Sequence, residues 1–165
     1  VNSLVPSLRG TSAAVPICAA VAAILSPALA IPAQADDGGA VLNEVNAARA
    51  ANGCGPVAAN PQLTAAATRQ ANDMLANGVH SHTGSDGSSV VQRVTAAGYT
   101  QYANVGEIIF WSTGVGGVPA AAVNWWMNSP GHRAIITDCG MTEAGFSVMR
   151  NGANATAVGE FGTRT

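Results

Sequence analysis

Three histidines and one acid are the residues of this chain best suited to chemistry. His80, His82 and His132 are its full set of imidazoles, and imidazole is both a general base near neutral pH and a common metal ligand. Glu107 stands in Gly106-Glu107-Ile108-Ile109-Phe110, beside a run that should be buried. An unpaired buried carboxylate is costly, so it needs a partner, which a histidine or a metal ion would supply. The plainer alternative is a solvated strand end paired with an arginine. His132 follows Asn124-Trp125-Trp126-Met127-Asn128, where two tryptophans and a methionine fall on the last turns of a helix. Ser129-Pro130-Gly131 is expected to stop that helix and leave His132 in the turn. There is no H-E-x-x-H helix, and spacing alone names no reaction.

These residues must be carried by a small exported domain. Of the 165 residues, the first 35 have the order of a secretory signal peptide. Arg9 is followed by an apolar run from Val15 to Leu25, by Ser26-Pro27, and by small residues ending in Ala33-Gln34-Ala35. Cleavage is expected after Ala35. The run is short for a membrane span and is interrupted by Pro16 and Pro27, so an uncleaved anchor is the weaker alternative. Cys18 does not fit a lipid-modified cysteine, because Ile17 occupies the place of a small neighbour. Residues 36–165 then form one domain, large enough for a core of its own. They carry six arginines, no lysine and nine acidic residues, a net charge of −3. Without a basic stripe, nucleic acid is not the expected partner. Abundant Ala, Gly and Arg without Lys fits GC-rich bacterial DNA.

Cys54 and Cys139 remain after cleavage. In an oxidising compartment a disulfide is the default pairing. It would close a loop of about 86 residues, worth roughly 4–5 kcal/mol on the chain-entropy model. A zinc site built on the same cysteines is the weaker alternative, since neither belongs to a C-x-x-C pair.

Helical spacing of Val41, Leu42, Val45 and Ala48 predicts a first helix ending at Gly53. Asn60-Pro61 is an N-cap and first-turn proline for a second, with Leu63, Ala66, Ala67, Ala71, Met74 and Leu75 as its buried stripe up to Gly78. Ser89-x-x-Gln92 fits a capping box for a third, ending at Gly98. Residues 104–111 read as a turn feeding a strand, 112–118 as a glycine-rich loop, and Pro119–Asn128 as the tryptophan helix. Two strands, 145–149 and 155–161, join at the polar turn Arg150-Asn151-Gly152. The fold class is α+β, with a small antiparallel sheet covered by helices.

In this order the pieces resemble the CAP (or SCP) domain superfamily, which includes cysteine-rich secretory proteins, antigen 5 and pathogenesis-related 1 proteins, in its compact bacterial form. The resemblance lies in Leu42-Asn43-Glu44-Val45-Asn46-Ala47-Ala48-Arg49, Ser81-His82-Thr83-Gly84, Arg93 with Gly98-Tyr99, and Gly106-Glu107-Ile108. It continues through Trp126 to Arg133, Gly145-Phe146-Ser147-Val148 and Gly159-Glu160-Phe161-Gly162. It implies an α-β-α sandwich with an open cleft holding two histidines and two acids. His82 and His132 match the histidines, which in family members can coordinate zinc, and Glu107 matches the first glutamate. The second glutamate falls where this chain has Asn128, a departure that removes a charge and a general base. His80 is an alternative to His82, and Asp86 an alternative carboxylate.

The resulting expectation is a secreted or cell-envelope binding module. Its cleft is expected to hold exchangeable Zn2+ at His82 and His132 and a lipid, glycan or protein ligand. The alternative is a metal-assisted hydrolase of peptides or envelope material with Glu107 as its candidate catalytic base. A third possibility is a purely structural remnant that ties loops together.

Overall fold

The computed structural model describes residues 37–165 apart from Val115; the expected signal peptide lies outside these residues. The elements run α1 Asp37–Ala51, β1 Ala58–Ala59, α2 Pro61–Asn77, α3 Val90–Ala96 and β2 Tyr102–Thr113. They continue with α4 Val118–Met127, α5 Pro130–Ile136, β3 Glu143–Asn151 and β4 Asn154–Arg164. The sheet order is β1-β3-β4-β2. β3 and β4 form the expected hairpin, β2 pairs antiparallel with β4, and the short β1 adds a parallel pairing to β3.

Alternation along the strands divides the core into two layers, because successive side chains point to opposite faces. Ile108, Phe110, Phe146, Ala157 and Phe161 join α1, α4 and α5 through Val41, Val45, Trp126 and Ile136. Ile109 and Val158 face the other way, onto Ala67, Ala71 and Met74 of α2. Leu63 and Ala66 of α2 pack with Val94 of α3 and with Tyr99. The molecule is therefore an α-β-α sandwich. Within the described sheet β2 has a neighbour on one side only, and the cleft forms beside it.

The helix starts follow their caps. The Asn60 side chain accepts hydrogen bonds from the backbone N–H groups of Gln62 and Leu63, ahead of Pro61. Ser89 and Gln92 make the reciprocal capping box of α3. One expectation fails. Ser129-Pro130-Gly131 starts a new helix as well as ending α4, with Ser129 at the N-cap position and Pro130 in the first turn. Proline is tolerated there because the first N–H groups of a helix have no intrahelical partner. His132 therefore stands on α5 and not in a turn.

Two constraints tie the layers together. Gly145 of β3 lies directly under the start of α2, and a Cβ there would collide with the backbone of Leu63 and Thr64. Just after α1, Cys54 forms a disulfide with Cys139 at a sequence separation of 85, which rules out a zinc site made by these thiols. Beside it the buried Arg49 guanidinium donates to the carbonyls of Gly55, Ile136, Asp138 and Met141 at 2.7–2.9 Å. Gly145→Ala is expected to lower unfolding stability by about 3 kcal/mol or more, since rigid backbone has to move. Cys54→Ser is expected to cost about 2–5 kcal/mol. Urea denaturation of the two variants against the parent protein measures both.

Candidate functional site

The cleft is built on a buried ion pair. Arg93 projects from α3 and Glu107 from β2, with side chains 0% and 1% exposed, and Arg93 Nη2 lies 2.6 Å from Glu107 Oε2. The same guanidinium donates to the backbone carbonyls of Ser88 (2.7 Å) and His82 (2.9 Å). It thus pins the loop between α2 and α3 to the sheet. The other Glu107 oxygen, Oε1, lies 2.8 Å from His82 Nδ1. The His82 side chain is 51% exposed. A carboxylate bonded to one ring nitrogen fixes the orientation of the imidazole and leaves Nε2 to face the cleft.

His132 approaches from the opposite layer. Its Nδ1 lies 2.7 Å from Ser129 Oγ, one turn earlier on α5. Its Nε2 is buried without a hydrogen-bond partner. The two rings face each other with centroids 6.1 Å apart and planes tilted by 39°. Burial, and then the neighbouring His82, hold the His132 pKa below the ordinary histidine value, which favours neutral imidazole at neutral pH.

An aromatic wall extends from this pair. Trp125 packs against His132 at 5.0 Å between centroids and meets Phe110 and Trp111 at 6.0 and 6.2 Å. Trp111 in turn stacks on His80 at 4.3 Å with planes within 6°. Trp111 and Trp125 are each 41% exposed, whereas Trp126 is fully buried and donates its indole N–H to the Ile109 carbonyl at 2.8 Å. On the far side of Trp111 a cavity of about 250 Å³ is lined by Met74, Leu75, His80, Thr113 and Asn154, among others.

The structure thus brings His82, Glu107 and His132 together and puts the other candidates elsewhere. His80 belongs to the tryptophan wall. Asp86 pairs with Arg69 at 2.6 Å on the surface and accepts from the Ser88 N–H; hydrogen bonds from Ser88 hold its pKa well below the ordinary carboxylate range. Asn128 ends α4, exposed, with its amide donating to the Asn124 carbonyl at 2.8 Å. The second acid at this site is Glu160 of β4, fully buried and directly opposite Glu107 in the β2–β4 register. Sequence reasoning assigned Glu160 and Arg93 no role. The available signal was a carboxyl within the apolar run Ala155–Phe161.

This cleft, in an α-β-α sandwich, is that of a CAP domain. The chain belongs to the cysteine-rich secretory protein family, whose model matches residues 42–161. Among solved structures it is similar to an outer surface protein of Borrelia burgdorferi, at 21% identity and a TM-score of 0.68, over 78% of this chain and 93% of that one. It is also similar to an extracellular SCP-domain protein of Bacillus anthracis, at 22% identity and a TM-score of 0.66, over 78% of this chain and 40% of that longer one. A third similar structure is NaASP2 solved with Zn2+, at 16% identity and a TM-score of 0.54, over 76% of this chain and 78% of that one. No curated protein matches the chain significantly. Among the described residues no group of three or more His, Cys, Asp or Glu side chains is arranged to hold a metal ion, and none of the helices is long and apolar enough to cross a membrane.

Breaking the ion pair should unfold the cleft from beneath. Arg93→Met leaves Glu107 buried without its cation and frees the Ser88 and His82 carbonyls, so a loss of about 3–5 kcal/mol is expected. Thermal and urea unfolding measure it. A loss below about 1 kcal/mol would show that the pair is not the support of the site.

Proposed function

We propose that this protein is a secreted, extracellular binding module, exported by the leader over residues 1–35. In this reading an amphipathic ligand of the cell envelope, a lipid or a glycan, lies along the wall formed by His80, Trp111, Trp125 and His132. The observation that carries it is the pair of half-exposed tryptophans contiguous with the cleft histidines. Exposed tryptophan offers a large apolar face with a polar edge, which suits acyl chains and sugar rings alike. Tryptophan fluorescence titrated with phosphatidylglycerol vesicles and, separately, with soluble peptidoglycan fragments tests the reading. One probe should give a saturable change, weakened about tenfold in Trp125→Ala, the equivalent of about 1.4 kcal/mol. If neither probe perturbs the fluorescence, the binding-wall reading fails.

The same reading gives His82 and His132 an exchangeable Zn2+. The donor set supports this in part. His132 Nε2 is a buried ring nitrogen without a partner, and His82 Nδ1 is committed to Glu107, leaving Nε2 as its ligand atom. A firm third ligand is missing, because both Glu107 oxygens are engaged, and zinc sites ordinarily have three or four protein ligands. Weak binding is therefore expected. Calorimetry with zinc should show affinity that falls at least tenfold in His82→Ala and in His132→Ala and is unchanged in His80→Ala. Equal affinity in all four proteins would place any zinc elsewhere.

A hydrolytic role is the second reading. It rests on the 2.8 Å contact between His82 and Glu107, the arrangement that orients a general base. Asn128 supplies no further acid or base.

A further inference from the structure

Glu160 is the one buried acid that the cleft's visible contacts leave unexplained. It lies at the middle of β4, fully buried, and neither of its carboxyl oxygens has a hydrogen-bond partner among groups able to donate. Its partners across the sheet and the charged residues of the helices over it can be named; Glu143, two residues from Gly145 on the same face of β3, is held by Asn60 and Tyr99. Across one register stands Glu107 of β2, and across the other Gly145 of β3, which has no side chain. α3 contributes a single charge, Arg93, whose Nη2 is committed to Glu107 and whose Nε is buried without a hydrogen-bond partner. α2 covers the same strands, but its charged residues face outward, Arg69 to Asp86 and Asp73 to Ser85. Two carboxyls therefore share one guanidinium in a dry layer. Like charges directly opposite on neighbouring strands repel, and two carboxylates sharing one buried site do not both ionise.

We propose that Glu160 is a neutral carboxylic acid whose O–H donates to the Glu107 carboxylate, making it a positioning residue that holds Glu107 under His82. With that proton in place the orphaned carboxyl of Glu160 is accounted for. Glu160 gains the partner it otherwise lacks, and Glu107 is gripped by Arg93, Glu160 and the His82 ring. The charge of the layer reduces to one guanidinium and one carboxylate. Burial, and then the Glu107 charge, push the Glu160 pKa well above the ordinary glutamate value, in keeping with this geometry. Glu160 makes no hydrogen bond to either histidine, so its effect on the cleft passes through Glu107. The inference does not depend on which ligand or ion the cleft takes.

The test is spectroscopic and thermodynamic, on the full chain and its Glu160→Gln and Glu160→Ala variants. Infrared spectra at pH 7 should show the carbonyl band of a buried neutral carboxylic acid in the parent protein and not in Glu160→Gln. The pH dependence has a definite sign. In the unfolded chain a glutamate loses its proton near pH 4.3, while the native chain keeps it, so the native state binds the extra proton. Stability from this group is complete below that pH and is lost as pH rises toward and through the raised native pKa. Relative to Glu160→Gln, the parent's unfolding constant should rise by up to about tenfold per pH unit between pH 5 and pH 7. His82 ring signals in nitrogen NMR should stay in place in Glu160→Gln, whose amide can replace the O–H donor, and shift in Glu160→Ala. Three results would each overturn the assignment: no acid band, a parent-to-Gln ratio flat with pH, or unmoved His82 signals in Glu160→Ala. If a variant fails to fold, the band in the parent still decides the protonation.

Discussion

The burial of one guanidinium governs this molecule's cleft. Arg93 lies in an apolar layer between α3 and the sheet, where a charge is tolerated only if it is paired. Its partners are Glu107, which ties it to β2, and two backbone carbonyls, which tie it to the loop after α2. His82 is on that loop, and its ring nitrogen meets the same carboxylate. A helix, an edge strand and a loop thus converge on one charge. The exposed imidazole inherits its orientation from groups that are almost wholly buried. An exposed histidine on a long loop would otherwise sample many rotamers; this one has a rigid base.

The sandwich supplies the second histidine by a different route. β2 is at the side of the described sheet, so side chains from both helical layers can reach past it. α4 anchors by Trp126, whose indole bonds to the Ile109 carbonyl, and this sets Trp125 on the adjacent, half-exposed side of the same helix. Ser129 and Pro130 then turn the chain straight into α5, placing His132 against Trp125 and across from His82. The connection leaving α5 is held by Arg49 and by the Cys54–Cys139 disulfide. Both histidines are therefore referred to the same strand, one through a carboxylate and the other through a tryptophan wall.

Much of this was legible in local chemistry. Asn60-Pro61 and Ser89-x-x-Gln92 announce their helices because caps act within a few residues. The β3–β4 hairpin follows from two apolar runs around a polar turn. The resemblance then brought His82, Glu107 and His132 into one cleft, which spacing alone could not do. The two-residue β1 was missed because Ala58-Ala59 has no alternation to read. α5 is not legible because Ser129-Pro130-Gly131 reads as a helix stop, although proline suits a first helical turn equally well. Arg93 and Glu160 escaped for a deeper reason. Their importance lies in cross-strand register and in burial, neither of which is present in the sequence around them.

The contrast between positions 128 and 160 bears most directly on chemistry. The resemblance places a second acid at 128, an exposed position at the end of α4, where a carboxylate would be hydrated. This chain has an amide there, turned back onto its own helix, and its second carboxyl is behind Glu107, away from solvent. An acid in that place cannot meet a ligand directly. It can act only through the residue in front of it, by donating or withholding one hydrogen bond. The open face of the cleft is consequently made of rings, two imidazoles and two indoles, while its charges are all on the buried side. A surface of that kind gains affinity from contact with flat or apolar matter. That composition is the physical ground for the proposed reading as a binding module.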